Sequence, residues 1–449
     1  MTHDMTQGRL FPLLVKFTIP LVLGNLLQLT YNAVDSIIVG RFVGADALAA
    51  VGTSNPLMTL IVLFLNGISL GAGILIGTMY GAKQYDRLKR QVSTGMVAGM
   101  IFSVVLSVIF ILTAAQILKI MQIDPSILDE AVRYLRVISV GLIFTFIYNY
   151  LASTLRALGD SRSPLYFLAI SAFLNIFGDL LFVVKLRMGI EGAAIATVVS
   201  EALSGVLCWI YIIRKIPILN LRRRWLTFDL SLLKLTVQYG FVSAMQQATV
   251  QLGKLGIQTI VNTMGVESTA AFNAVNRADD YAVVVEQNIA HSMTSVMAQN
   301  RGAGQMSRVR TSFRYGLYLE LAYGVFSGIV FFVFAVPLMQ LFTTDTEVVR
   351  IGAGYLRLIA FMYILPAITN GVQGYFRGMG DLKITLISSL INMGVRVAAA
   401  IPLVFGLHMD MEAIPWSYLI GWGAMMTYEI PYMIYMMRRH KDDTGAVSI

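Results

Sequence analysis

Aspartates are the residues most able to do chemistry in this sequence. Asp35 lies in LLQLTYNAVDSIIVG, and Leu13 to Val39 contains only one other charged residue, Lys16. A segment of that length and apolarity can cross a bilayer. A charged side chain inside hydrocarbon costs several kcal/mol, so such residues usually carry function. Asn25, Gln28, Asn32 and Asp35 follow at spacings of three, four and three, one continuous stripe on a helix. A polar stripe of this kind faces protein or a water-filled cavity rather than lipid.

A second aspartate, Asp179, follows Asn175 by one helical turn in SAFLNIFGDLLFVV. Asp35 precedes Arg41, and Asp179 precedes Lys185, by six residues each. At about 1.5 Å per residue, both acids are expected about 9 Å below the same membrane boundary, with Thr197 at a similar depth. Hard oxygen and amide donors at one level suit Na⁺ or a shared proton, and Asp35, Asn175 and Asp179 form the candidate Na⁺ set. Two neighbouring carboxyls in a low-dielectric place resist joint ionisation and titrate as one unit. That property lets them exchange a proton or a cation near neutral pH.

The elements that must position these residues are apolar helices. The chain has 449 residues, 57% hydrophobic and 13% charged, with mean hydropathy +0.70. Soluble domains carry about 25% charged residues, so this is the composition of an all-α polytopic membrane protein. Hydropathy places twelve spans near 13–39, 53–78, 93–118, 132–152, 164–184, 190–213, 235–263, 281–300, 313–336, 354–374, 384–406 and 413–437. The polar opening MTHDMTQGRL and the length of the run after it predict no cleavable signal peptide. The single cysteine, Cys208, excludes an intrachain disulfide and argues against a thiolate metal cluster.

Alternate loops, from Arg9 to Lys441, hold 22 of the 34 Lys and Arg residues. The opposite loops hold six: Arg41, Lys119, Lys185, Arg187, Arg277 and Arg350. The positive-inside rule then predicts both termini on the cytoplasmic side of a plasma membrane. The net charge of +9 is a topology signal and not a nucleic-acid surface.

Shifted by 221 residues, the sequence meets itself. GAKQYDR (81–87) falls on GAGQMSR (302–308), Arg156, Gly159 and Asp160 on Arg377, Gly380 and Asp381, Asn149 on Asn370, and Asp124 on Asp345. Six spans per repeat give both halves the same orientation, as in transporters built from parallel repeats. The expected organisation is a lobe at 1–213, a basic linker at 214–234, a second lobe at 235–437 and a tail at 438–449. Two such lobes facing a central cleft would work by alternating access.

The second lobe does not duplicate the acidic pair. It carries the stripe Gln247, Gln251, Lys254 and Gln258, then Glu286, Asn392, Arg396 and Glu429. Lys254 and Glu286, at comparable depth, are expected to form an intramembrane ion pair. The alternative for Lys254, Glu286, Arg396 and Glu429 is a substrate or second proton site. His291 reads as an interior histidine.

GRLFPLLVKFTIPLVLGNLLQLTYNAVDSIIVGRFVGADALAAVG, the AQNRGAGQ loop and LRALGDSRSP resemble the multidrug and toxic compound extrusion (MATE) family over essentially the whole chain. The acidic pair is similar to that of its DinF-like branch. The resemblance implies export of small organic, amphipathic molecules in exchange for inward H⁺ or Na⁺, from a bacterial or archaeal plasma membrane, by a monomer without a cofactor. It also implies a coupling site at Asp35, Asn149, Asn175, Asp179 and Thr197, with a bend in the first helix at Pro20. The nearest alternative is a flippase for a lipid-linked saccharide or another anionic lipid-like substrate, which Lys254 and Arg396 would suit. No nucleophile triad, His pair or nucleotide loop supports an enzyme.

Overall fold

The structure is a computed structural model that describes residues 3–219 and 227–439. Among the described residues it contains fourteen α-helices and no strand. The first half contains α1 (Leu10–Phe42), α2 (Ala45–Gly81), α3 (Tyr85–Ile120), α4 (Pro125–Ala157), α5 (Arg162–Asp179) and α6 (Gly189–Lys215). The second contains α7 (Leu230–Asn262), α8 (Val266–Gly302), α9 (Met306–Val333), α10 (Ala335–Gln340), α11 (Thr346–Ala360), α12 (Ile364–Gly378), α13 (Leu382–Ile401) and α14 (Ala413–Arg439). Helices dominate because a spanning segment must satisfy its own backbone hydrogen bonds.

All twelve expected spans appear as helix. Eight helices are apolar enough to cross a membrane on composition alone, and α11 with α12 makes a ninth. The other three, α7, α8 and α14, are 33, 37 and 27 residues long. They carry the polar and charged residues of the second half. The tenth span corrects the sequence reading: instead of one helix over 354–374, α11 and α12 meet at a 55° bend. Tyr363, 1% exposed, occupies the break, and its hydroxyl donates to Asp279 on α8. The basic run Arg222–Arg224 of the linker, and the tail from residue 440 on, lie outside the described residues.

The 221-residue repeat is written into the backbone. Residues with left-handed φ come in pairs at that offset: Gly44 and Gly265, Lys83 and Gly304, Gly159 and Gly380, Arg187 and His408. Lys83 takes φ 58° where its counterpart Gly304 takes 71°, so the GAKQ turn holds a side chain in a conformation that usually favours glycine. Both fifth helices end in a wide π-helical turn, at Leu180–Lys185 and Pro402–Gly406. Tyr211 donates to Asp160 at 3.0 Å, and Tyr432 donates to Asp381 at 3.0 Å. Asp124 and Asp345 each cap the N-terminus of the following helix. The Ser126 hydroxyl and N–H together hold the Asp124 carboxyl below the ordinary carboxylate range.

Two compact units emerge, and two of the borders between them fall inside helices. Residues 19–244 form the body of the first, while Met5–Thr18 and Met245 onward form the second. In the first unit, α2, α4 and α6 pack around a core that includes Ala50, Leu118, Leu135 and Ala194, all fully buried. Close approach needs glycine here: a Cβ on Gly99 of α3 would lie 1.8 Å from Phe146 Cζ of α4. The second unit packs α8, α9, α11, α12 and α14 around Leu356, Tyr363 and Ile414.

The division of α1 at Thr18 and Ile19 lies beside Pro20, around which the helix runs unbroken. Proline removes one backbone hydrogen bond there and softens the helix. The segment before α1 is fastened to the second unit. Met5 N–H donates to Gln299 Oε1 at 3.0 Å, and its carbonyl accepts from Asn300 Nδ2 at 3.1 Å. Arg308 adds bonds to the carbonyls of Gly8 at 3.0 Å and Met5 at 3.3 Å. Bonds to a charged donor contribute about 1.5–3 kcal/mol each. Arg308→Ala should therefore speed hydrogen exchange of the Met5 amide by tenfold or more, as read by mass spectrometry. Unchanged exchange would mean that the segment is held by burial of Met5 alone.

Candidate functional site

The candidate site lies wholly within the first unit. α1 brings Asp35, α5 brings Asn175 and Asp179 one turn apart, and α6 brings Thr197. Asn175 is 1% exposed and Asp179 fully buried, while Asp35 is half-buried. The carboxyls of Asp35 and Asp179 lie within hydrogen-bonding reach of each other. Asp35 Oδ1 and both oxygens of Asp179 are buried without a donor. Two carboxylates are acceptors only, so a bond between them needs a proton, and their repulsion otherwise needs a cation.

Asn175 Nδ2 donates to Thr197 Oγ1 at 3.2 Å, and Thr197 in turn donates to the Ala193 carbonyl at 3.1 Å. Asn175 Oδ1 is left buried and unbonded. The orphaned oxygens of Asp35, Asn175 and Asp179 are therefore an all-oxygen donor set of the kind that suits Na⁺ or H⁺. Asn149 does not join them among the described residues; its Nδ2 donates to the Thr145 carbonyl of its own helix at 2.8 Å. Along α1, Asn25, Gln28 and Asn32 are exposed, with Gln28 in hydrogen-bonding contact with Tyr31.

Sequence reasoning missed Glu201. It lies one turn after Thr197 on α6, half-buried, and accepts a hydrogen bond from Thr145 Oγ1. The signal was available: SEALSGVL puts a carboxylate in an apolar span at Thr197 plus four, on the same helix face.

The second unit corrects the expected ion pair. Lys254 Nζ pairs with Asp280 at 3.3 Å, with both side chains about half exposed, and not with Glu286. Asp280 is three residues past Arg277, so the counter-ion comes from the N-terminal half of α8. Glu286 is fully buried and accepts from Asn370 Nδ2 at 3.1 Å. Arg396 is 6% exposed and stacks its guanidinium on Tyr418 at 3.8 Å and Trp422 at 5.0 Å. Glu429 is fully buried and interacts with Ser388, Gln373 and Arg377. Asp279 of α8 lies within electrostatic range of Lys254, Glu286 and Arg396, while Glu429 has partners of its own. His291 is half-buried on α8.

The comparisons with known proteins agree with this architecture. The MatE family profile matches residues 20–181 and 243–401. A probable multidrug resistance protein of Bacillus subtilis (strain 168), YoeA, is 32% identical over 86% of this chain and 85% of its own. The FAD transporter of Shewanella oneidensis (strain ATCC 700550 / JCM 31522 / CIP 106686 / LMG 19005 / NCIMB 14063 / MR-1) is 24% identical over 93% of this chain and 94% of its own. Among solved structures, a MATE transporter in the bent conformation superposes with a TM-score of 0.93 at 20% identity, covering 99% of this chain and all of its own. That likeness gives the fold of two bundles with twelve membrane helices. Its relatives are membrane transporters of small molecules and not enzymes. On its 221-residue repeat, its twelve spans and the profile match over most of its length, the chain belongs to the MatE family of multidrug efflux transporters.

Proposed function

We propose that this chain is a secondary antiporter that exports small organic, amphipathic compounds in exchange for inward H⁺ or Na⁺. The single observation that carries the reading is the pairing of Asp35 with the buried Asp179, neither of which has a basic partner among the described residues. An ion entering from outside binds the pair, assisted by Asn175 and Thr197, and removes the repulsion. Binding shifts the balance of inward- and outward-facing states by its differential affinity for the two. The moving parts are the lobes at 1–213 and 235–437, joined by the linker at 214–234, with both termini and the 438–449 tail cytoplasmic. The chain works as a monomer, with the coupling ion as its only inorganic requirement. Pro20 is the compliant point of α1.

The test is transport in proteoliposomes with fluorescent organic cations and anions, imposing Na⁺ and pH gradients separately. One of the two gradients is expected to accelerate export several-fold over the gradient-free rate. Equal rates under all gradients would remove antiport.

A second reading has its own support. Arg396 stacked on Tyr418 and Trp422 offers a cation on an aromatic platform, which suits an anionic aromatic or lipid-like substrate. A relative named as an FAD transporter is consistent with such cargo. The flippase alternative differs by needing no ion gradient, so the same assay separates the two.

A further inference from the structure

We propose that Glu201 is a second ion-loading carboxyl of the first unit, so that the unit takes up two cation equivalents per cycle rather than one. The inference deepens the antiport reading and rests on it for its role in transport.

Charge balance within the unit supports it first. Two ion pairs of this unit join Lys89 to Asp86 and Arg133 to Glu191. Neither touches Asp35, Asp179 or Glu201. Arg156 on α4, the basic residue of the LRALGD motif, interacts with Tyr148 and Cys208 instead. Three carboxyls in one membrane-embedded bundle without a counter-charge cannot all be ionised cheaply. One proton or cation on Asp35 and Asp179 leaves one negative charge on the pair and a second on Glu201.

Connectivity supports it second. Asp179 and Asn175 are one turn apart on α5, Asn175 bonds Thr197 on α6, and Glu201 follows Thr197 by one turn. Tyr134 of α4 lies within electrostatic range of Asp35, Asp179 and Glu201 together, and Tyr31 of α1 within range of Glu201 and Asp35. Glu201 therefore shares two neighbours with the acidic pair. The groups that face it are Thr145 and Tyr148 with Tyr134 from α4, and Tyr31 from α1. No Lys or Arg is among them.

The Thr145 hydroxyl supplies the means of switching. Its single proton has two acceptors within reach, the Gly141 carbonyl at 3.2 Å and Glu201 Oε2. With Glu201 ionised, Thr145 donates to the carboxylate. With a proton taken from water onto Glu201, the carboxyl donates to Thr145 and the hydroxyl turns to Gly141. Both states keep every group bonded, so the carboxyl can load and unload without leaving a buried polar atom unpaired.

Infrared pH titration of the purified full chain in lipid nanodiscs tests this without a known substrate. Comparing the wild type with Glu201→Gln should show one carboxyl's worth of pH-dependent protonated C=O absorption lost. The Asp35→Asn/Asp179→Asn variant should keep that Glu201 component. Thr145→Val, which retains Glu201, should move its midpoint by a measurable fraction of a pH unit and covers the case in which Glu201→Gln folds poorly. A Glu201→Gln difference that does not change with pH, or a midpoint indifferent to Thr145→Val, would overturn the proposal. Loss of no titrating band in Asp35→Asn/Asp179→Asn would instead count against the acidic pair, leaving the Glu201 result to stand or fall separately.

Discussion

Asp35→Asn and Asp179→Asn should each cut gradient-driven export, and the double variant should reduce it furthest. An asparagine is isosteric with a protonated aspartate and cannot change charge, so each single variant freezes half of the pair in its loaded form. The remaining acid of a single variant can still take a proton, but without a neighbouring charge it gains less from doing so. Coupling free energies of about 1–3 kcal/mol correspond to about 5–150-fold changes in binding equilibria, and the double variant should fall at the upper end of that range. The assay is initial export rate in proteoliposomes under the gradient that drives the wild type. Full gradient-driven rates in both single variants would take the acidic pair out of the mechanism.

Arg377→Met should destabilise the second unit by about 3–5 kcal/mol, the usual cost of removing one partner from a buried charge cluster. Arg377 Nη2 donates to Gln373 Oε1 at 3.0 Å and Gln246 Oε1 at 3.4 Å, and its charge faces Glu429 first and Glu320 second. Both glutamates are fully buried, and neither has a hydrogen-bond partner within ordinary distance. Methionine keeps the volume and removes the charge, leaving Glu429 with only Ser388 and Gln373 as neutral company. Adding Glu429→Gln to Arg377→Met should recover a large part of the loss, because the cost lies in the uncompensated carboxylate. Thermal unfolding in detergent reads both steps. A single variant as stable as the wild type would mean that Glu429 and Glu320 carry their own protons.

The second unit also marks where the sequence is a weaker guide. Hydropathy and the 221-residue offset locate all twelve spans, because burial in lipid imposes a one-dimensional constraint that composition records. The offset extends to left-handed residues, capping aspartates and the paired tyrosine bonds, since each is a local backbone requirement repeated in place. Depth counting likewise brings Asp35, Asn175, Asp179 and Thr197 together, each being a fixed number of residues from a charged boundary. Partner choice between helices is a different matter. Residue counting expects Lys254 and Glu286 at one depth, yet Lys254 meets Asp280, six residues and about 9 Å of helix rise from Glu286, and Glu286 meets Asn370. Asn149 shares the polar character of the site but spends its amide on its own helix. The bend between α11 and α12 has no counterpart in α4; Pro366, in the first turn of α12, lacks the N–H that would bond the Met362 carbonyl and is the sequence signal for the break, while Tyr363 and its bond to Asp279 are tertiary features.

The most direct measurement reverses the usual experiment. Proteoliposomes are loaded with an exported compound and given no ion gradient, and ion movement is followed as the compound leaves, by interior pH for H⁺ and by radiotracer for Na⁺. The wild type should move one of these ions inward in step with the compound, and Asp35→Asn/Asp179→Asn should carry clearly fewer ions per compound released. Equal inward ion movement in that variant would contradict the claim that these two acids couple the fluxes.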